Sequence, residues 1–159
     1  MRDQGHNGHP KTQGDKRTMP IKPIFAAVDE AKKTIENLSV ADMHAELADE
    51  DALVVDIREI QERVDLGTIP GSKHAPRGML EFWADPASPY YRDWFDKPER
   101  RIVLFCAGGG RSALAAVALK EMGFTNVAHL EPGFTGWQQE EQEIEDVQST
   151  SRWIRRPKP

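Results

Sequence analysis

The chain has 159 residues, of which 38% are hydrophobic and 30% charged, a composition typical of one water-soluble globular domain. Its longest apolar run has seven residues (113–119), which excludes a membrane-spanning helix, and its single cysteine, Cys106, excludes an internal disulfide and a cysteine-cluster metal site. The formal net charge of -5 combines two basic ends with a more strongly acidic middle, and such an acidic body is a poor electrostatic match for nucleic acid.

The ends of the chain differ from its middle. Residues 1–20 are polar and have no apolar periodicity, so we predict a disordered segment there, one domain over 21–145 and a basic tail over 146–159. The first residues do not form a secretory signal, and a lone thiol suits a reducing compartment, so we expect a cytoplasmic location. Translation could start at Met1 or at Met19.

Two helices are predicted first. A helix is expected from Pro23, because apolar residues recur at spacings of three and four: Ile24, Val28, Ala31, Ile35 and Leu38. Ser39 with Asp42 three residues later is typical of a capping box, so a second helix should begin there.

Short apolar runs rich in β-branched residues then predict strands buried on both faces. They occupy residues 52–57 and 102–106, with weaker strands at 72–75 and 126–130. Helices are predicted between and after them, at residues 59–66, 112–122 and 135–143, and residues 78–97 predict two short helices or turns with an aromatic face. This alternation indicates an α/β domain built on a mainly parallel sheet.

The chemically informative segment is C-A-G-G-G-R-S, residues 106–112. A buried strand ends on Cys106, three glycines follow, and Arg111 and Ser112 open a helix. Such a turn directs backbone N–H groups inward as an anion-binding nest, which would stabilise a thiolate, and Arg111 adds a permanent positive charge. A free cysteine alone is usually a small buried hydrophobe, but this combination favours function. A nucleotide-binding P-loop is excluded, since it would require glycine at Phe105 and lysine at Arg111.

The same segment resembles the C-x-x-G-x-R-[ST] active-site loop of the rhodanese-like sulfurtransferases. The motifs V-V-D-I-R-E (54–59), G-T-I-P-G-S (67–72) and L-E-P-G-F-T-G-W (130–137) are similar to that family's D-x-R-E, G-H-I-P-G-A and L-E-G-G-F-x-x-W, and residues 77–86 resemble an insert of one bacterial subgroup. Thr68 replaces the usual histidine and Pro132 replaces a glycine, and we expect both changes to be structural. The resemblance covers about residues 38–140 and implies a three-layer domain, with helices on both faces of the sheet.

The resemblance also implies a reaction. Cys106 would take a sulfane sulfur from a small anionic donor such as thiosulfate, become a persulfide, and pass the sulfur to cyanide, a thiol or an acceptor protein. Arg111 would orient the donor, and no metal or organic cofactor would be needed. The substrate-binding backbone would be that of Ala107, Gly108, Gly109, Gly110, Arg111 and Ser112.

Several further residues have two interpretations. Asp56 and Arg58 match the family motif, and we expect them to support the site as a structural ion pair. Arg77, Phe82 and Trp83 could form a pocket rim or simply pack in the insert. The three histidines of the predicted domain lack a visible ligand constellation and are expected to be packing or surface residues: His44, His74 and His129.

Two other functions remain open at this stage. One is a non-catalytic or sulfur-carrier interaction module of the same fold. The other is a small phosphatase, although phosphatase loops have the form C-x5-R, whereas Cys106 and Arg111 are separated by four residues. A shorter loop suits a smaller group such as a transferred sulfur. The sequence does not indicate the oligomeric state.

Overall fold

The structure is a computed structural model that describes residues 20–147. The predicted terminal segments, 1–20 and 146–159, fall almost entirely outside the described residues. Within these, no helix combines the length and the apolar character needed to cross a membrane.

The centre of the domain is a five-stranded, fully parallel sheet with the strand order β1-β5-β4-β2-β3. The strands are β1 (Glu36–Leu38), β2 (Leu53–Asp56), β3 (Lys73–His74), β4 (Ile102–Phe105) and β5 (Val127–Leu130). The three central strands are buried along their whole length, which explains their continuous apolar sequences. The two edge strands are only three and two residues long.

Helices cover both faces of this sheet. They are α1 (Ile24–Lys32), α2 (Val40–Ala48), α3 (Ile60–Leu66), α4 (Leu80–Ala84), α5 (Gly110–Met122) and α6 (Gly133–Gln139), with single 3₁₀ turns at Arg77–Met79 and Asp93–Phe95. One core joins α4 and α5 to alternate residues of β2 and β4, and a second joins α2 and α6 to the opposite side chains of the same strands. Helix α1 packs outside α5. The predicted three-layer α/β architecture is therefore confirmed.

The predicted first helix is too long. Helix α1 ends at Lys32, and residues 36–38 form β1, which pairs with β5. The helical spacing continues to Leu38 because that residue, like Val28, faces a core, but Leu38 does so from a strand. The predicted capping box at Ser39 is present, since its side chain accepts from the N–H of Asp42 and the Asp42 carboxylate accepts from the N–H of Ser39.

The strand register brings the predicted motifs to one edge of the sheet. Asp56 at the end of β2 lies opposite Phe105 at the end of β4. The segments that follow these strands, including Cys106, therefore meet at the carboxyl edge, where parallel sheets bind ligands.

Candidate active site

The loop after β4 encloses the sulfur of Cys106. This residue is only 1% exposed, although it lies at the carboxyl edge of the sheet. Its Sγ accepts from the backbone N–H of Gly109 at 3.2 Å and from that of Ser112 at 3.4 Å. Since Ser112 lies in the first turn of α5, the helix N-terminus also directs its positive end toward the sulfur. Two of the six predicted backbone N–H groups thus bind the sulfur, and they can stabilise an anionic sulfur, whereas binding of a substrate by this loop stays a prediction.

Two glycines fix the shape of the loop. Gly109 has φ +88°, and a Cβ there would lie 2.0 Å from the carbonyl oxygen of Glu131. Gly133, at the start of α6, has φ +65°, and its Cβ would lie 2.3 Å from the carbonyl oxygen of Ala107. A Cβ at Gly108, by contrast, would meet no atom within 4 Å. The loop conformation therefore depends on contact with the chain after β5, and Gly108 is not required for it.

Helix α6 also holds the loop through its backbone. The N–H of Phe134 donates to the carbonyl of Cys106 at 2.8 Å, and the N–H of Thr135 donates to that of Ala107 at 2.9 Å. These donors are among the first N–H groups of a helix, which have no partner inside it. The motif around Gly133 thus serves as a clamp on the cysteine loop.

The guanidinium of Arg111 is already engaged by a partner that the sequence analysis did not identify. Its Nη1 and Nη2 each donate to the carboxylate of Glu62 on α3, at 2.8 Å. These hydrogen bonds lower the pKa of Glu62, so the pair is charged over the neutral pH range. Both side chains are partly exposed, at 39% for Arg111 and 30% for Glu62. The pair joins the cysteine loop to α3, and the orientation of a donor by Arg111 stays a prediction.

A chain of side-chain hydrogen bonds leads from the sulfur of Cys106 to β5 and β1. Ser112 Oγ lies 3.5 Å from Cys106 Sγ and 2.8 Å from His129 Nδ1, and His129 Nε2 lies 2.7 Å from Asn37 Oδ1. Ser112 and His129 are both fully buried. The expectation that His129 is a packing or surface residue is therefore incomplete, because its ring is hydrogen-bonded to Ser112, which contacts the thiol.

The predicted ion pair of Asp56 and Arg58 is fully buried. Arg58 donates through Nε and Nη2 to Asp56 and through Nη2 to the carbonyl of Gly67 at 2.7 Å. Asp56 also accepts from Arg63 and from Thr68, the residue that replaces the family's usual histidine. The Arg58 guanidinium lies 4.0 Å from the centre of the Phe134 ring. The cluster thus contacts α6, the helix that binds the cysteine loop, and none of its described hydrogen bonds reaches the sulfur.

The described side-chain partners of Arg77 and Trp83 lie in the same segment of the chain. Arg77 forms an ion pair with Glu81, and Phe82 is 56% exposed. Trp83 packs edge-on against Trp94, with the Arg92 guanidinium 4.5 Å from its ring centre. These contacts explain the aromatic pattern of this segment by packing, and a role at the rim stays a prediction for all three residues.

His44 and His74 also have structural partners. His44 Nε2 lies 2.7 Å from Gln142 Oε1, with its ring against Trp137. His74 Nε2 lies 2.8 Å from the carbonyl of Arg58, and burial lowers its pKa. Over residues 20–147, no group of three or more potential metal-binding side chains is assembled.

Burial of His129 predicts an acid-sensitive fold. Burial, with a smaller effect from the positive charge of Lys32, lowers the pKa of His129 to about 4, against about 6.5 for an unfolded histidine. Between those values the unfolded chain binds the proton more readily, so the free energy of unfolding should fall on acidification from pH 6.5 to pH 4, by at most about 1.4 kcal/mol per pH unit. Urea denaturation from pH 7 to pH 4 measures this. A His129→Asn protein should lack this component, and an identical pH slope in the two proteins would contradict the assignment.

Comparison with known proteins identifies the family of the domain. The family model described as Rhodanese-like domain matches residues 39–140. A putative sulfur carrier protein of Bacillus subtilis is 32% identical over 90 residues, covering 57% of this chain and 43% of that protein. A tRNA uridine(34) hydroxylase of Salmonella paratyphi B is 31% identical over 104 residues, covering 65% of this chain and 29% of the hydroxylase. The chain thus spans less than half the length of each of these curated relatives.

Solved structures extend the comparison. A Rhodopseudomonas palustris protein of unknown function, described as a possible tyrosine phosphatase, is 45% identical with a TM-score of 0.73, over 80% of this chain and 99% of that protein. The polysulfide-sulfur transferase homodimer of Wolinella succinogenes is 30% identical with a TM-score of 0.61, over 75% of this chain and 84% of the transferase chain. Both similarities extend over most of the domain described above.

Proposed function

The chain belongs to the rhodanese-like domain family, and on that premise we propose that it is a sulfurtransferase with Cys106 as its sulfur carrier. The observation that carries the proposal is the position of the Cys106 sulfur, which accepts two backbone N–H groups at the N-terminus of α5. Such donors stabilise the anion needed both for attack on a sulfur donor and for the persulfide that results. The sulfur-carrier and sulfur-transfer relatives support the same chemistry.

The reaction we propose has two half-reactions. The Cys106 thiolate attacks the sulfane sulfur of thiosulfate, a new S–S bond forms, and the S–S bond of thiosulfate breaks as sulfite leaves with the bonding electrons. Cyanide, a thiol or an acceptor protein then attacks the terminal sulfur, and Cys106 leaves as the thiolate. Neither step requires a metal or an organic cofactor. Because the carrier thiol must stay reduced, the proposal includes a cytoplasmic location.

The experiment that tests this function is the intact mass of the reduced protein after incubation with thiosulfate. One added sulfur atom, removed by cyanide as thiocyanate, is expected. A protein that keeps its mass under these conditions, while remaining folded and alkylatable at Cys106, would contradict the proposed donor reaction. A protein that takes up sulfur but does not release it to cyanide or thiols would instead be a binding or carrier module.

A phosphatase is the second candidate, because one similar structure is described as a possible tyrosine phosphatase. Two features favour sulfur transfer over it. The loop has four residues between Cys106 and Arg111, and Cys106 is 1% exposed, which suits a small group better than an aryl phosphate. Hydrolysis of an aryl phosphate that depends on Cys106 and exceeds sulfur transfer would reverse this preference.

Arg111 variants separate donor binding from bracing of the loop. If Arg111 binds the anionic donor, the rate of sulfur transfer from thiosulfate should decrease in the order wild type, Arg111→Lys, Arg111→Ala. Loss of a charged hydrogen-bond partner costs about 1.5–3 kcal/mol, roughly ten- to a hundredfold in rate. Alkylation of Cys106 by a neutral reagent should fall less.

Glu62→Gln is the matched control for this series, because it removes the negative charge that holds the Arg111 guanidinium and leaves Arg111 in place. Donor binding by Arg111 predicts that this protein keeps or gains activity with thiosulfate. If Glu62→Gln and Arg111→Ala instead lose both reactivities and melt at lower temperature, Arg111 serves to brace the loop.

A further inference from the structure

The buried chain Cys106–Ser112–His129–Asn37 has a defined hydrogen-bond direction. The Asn37 Nδ2 donates to the carbonyls of Lys32 and Ile35, at 2.8 and 3.1 Å, so its Oδ1 faces the imidazole. That oxygen can only accept, and His129 Nε2 must therefore carry the hydrogen of their 2.7 Å bond. A neutral imidazole then has a free lone pair on Nδ1, and Nδ1 accepts the hydroxyl hydrogen of Ser112.

With this direction, Nδ1 of His129 is a proton acceptor that is two hydrogen bonds away from the thiol of Cys106. With its hydrogen committed to His129, Ser112 Oγ offers a lone pair to the S–H of Cys106, 3.5 Å away. If the thiol proton moves to Oγ and the hydroxyl proton moves to Nδ1, every hydrogen bond of the chain is retained with its direction reversed. Ser112 then donates to the thiolate, and Nδ1–H donates to Ser112.

We propose that His129 receives the thiol proton of Cys106 through Ser112 and holds it while Cys106 carries the transferred sulfur. This inference rests on the proposed sulfurtransferase function. In the first half-reaction the proton passes to His129 as the thiolate attacks, and sulfite leaves with the electrons of the broken S–S bond. In the second, the Cys106 thiolate departs from the sulfur that it has transferred and recovers the proton. His129 is thus a positioning residue that acts through Ser112 by holding the proton, whereas Cys106 forms and breaks the S–S bonds.

The charges around the sulfur show what such a reservoir adds to the two backbone N–H groups that bind it. The persulfide is an anion in a buried loop, and the nearby permanent cation, Arg111, is already neutralised by Glu62. Other charged groups near His129 do little to offset the negative charge of the persulfide. Lys32 on α1 opposes a positive imidazole and lies 3.8 Å from Glu131, while the neighbours on β1 and β4, Asn37 and Leu104, are neutral. In the reduced protein, burial and Lys32 lower the pKa of His129 to about 4; the persulfide anion on the far side of Ser112 acts in the opposite direction, because a nearby negative charge stabilises the imidazolium. Proton transfer to His129 then provides the positive charge that offsets the persulfide.

The test counts the protons released as the persulfide forms. Thiosulfate is added in weak buffer at pH 7.5 with an indicator dye, and sulfur adducts are counted by intact mass. His129→Asn retains a hydrogen-bonding side chain beside Ser112 but cannot bind a proton. Wild type should release fewer protons per adduct than His129→Asn, with a difference approaching one. Protonation of the sulfite is common to both proteins and cancels.

Two controls make the proton count specific. Alkylation with iodoacetamide forms a neutral thioether, so the proton difference between wild type and His129→Asn should disappear or become much smaller. His44→Asn, which removes a histidine bound to Gln142, should behave as wild type with thiosulfate. Equal proton release from wild type and His129→Asn, with adducts formed in both, would overturn the proton reservoir and leave the sulfurtransferase function intact.

Nitrogen NMR of the wild type decides the question even if His129→Asn fails to fold. The His129 ring should be neutral in the reduced protein, with hydrogen on Nε2 alone, and doubly protonated in the sulfur-loaded protein. A ring that stays neutral after loading would overturn the inference. Absence of any sulfur adduct in folded wild type would remove the proposed function, and the inference with it.

Discussion

A Cys106→Ser protein is expected to take up no sulfur from thiosulfate and to transfer none to cyanide. The hydroxyl of serine is a far weaker nucleophile than a thiolate and is not ionised at neutral pH, so the covalent route is lost rather than slowed. Intact mass and thiocyanate formation measure the two half-reactions. Because Cys106 is the only cysteine of the chain, no second thiol can substitute for it.

The fold should survive this change, which is what makes the result interpretable. The two backbone N–H groups that bind the Cys106 sulfur can bind a serine oxygen, and the volume change is small. Circular dichroism and the melting temperature should therefore stay close to those of wild type. Thiocyanate production by Cys106→Ser at an undiminished rate would refute the assignment of the carrier.

Replacement of Gly109 by alanine should cost at least about a hundredfold in sulfur transfer. A Cβ at this position would lie 2.0 Å from the carbonyl oxygen of Glu131, and the backbone has a φ of +88°, which L-residues rarely adopt. The loop must therefore shift, and Gly109 itself supplies an N–H to the sulfur. A displacement of about 1 Å in such a site can cost about a hundredfold in rate. Steady-state kinetics with thiosulfate and cyanide measure the effect.

Gly108→Ala is the matched control for that substitution. It makes the same chemical change one residue earlier in the loop, where a Cβ would meet no atom within 4 Å. Its rate should stay within a few-fold of wild type. Similar losses in both proteins would mean that the loop needs general flexibility, and that the Gly109–Glu131 approach is not the determining contact.

Local patterns explain most of what the sequence predicts correctly. Seven consecutive residues contain Cys106, the glycines and the start of α5, and the capping box at Ser39 spans four residues. Residues that are close in the sequence are therefore enough to predict both features. The buried strands β2 and β4 are equally local, because continuous apolar runs identify them.

Features that depend on distant residues could not be predicted in the same way. Arg111 binds Glu62, 49 residues earlier, and His129 binds Asn37, which lies 92 residues earlier. The first pair depends on the position of α3 beside the loop and the second on the pairing of β1 with β5, neither of which is encoded in local spacing. Strand β1 was missed for a different reason, since it has three residues and its one buried residue, Leu38, continues the spacing of the preceding helix.

The short outer strands of the sheet restrict how another macromolecule can associate with this domain. β1 and β3 have three and two residues, so an incoming chain would find few free backbone groups along either border. Lys73 in β3 adds a charge to that border and approaches the ring of Trp94 within 5.4 Å. Edge-to-edge aggregation is thereby discouraged. A macromolecular recipient of sulfur would consequently engage the domain by surface complementarity around the cysteine loop, and not by β-augmentation.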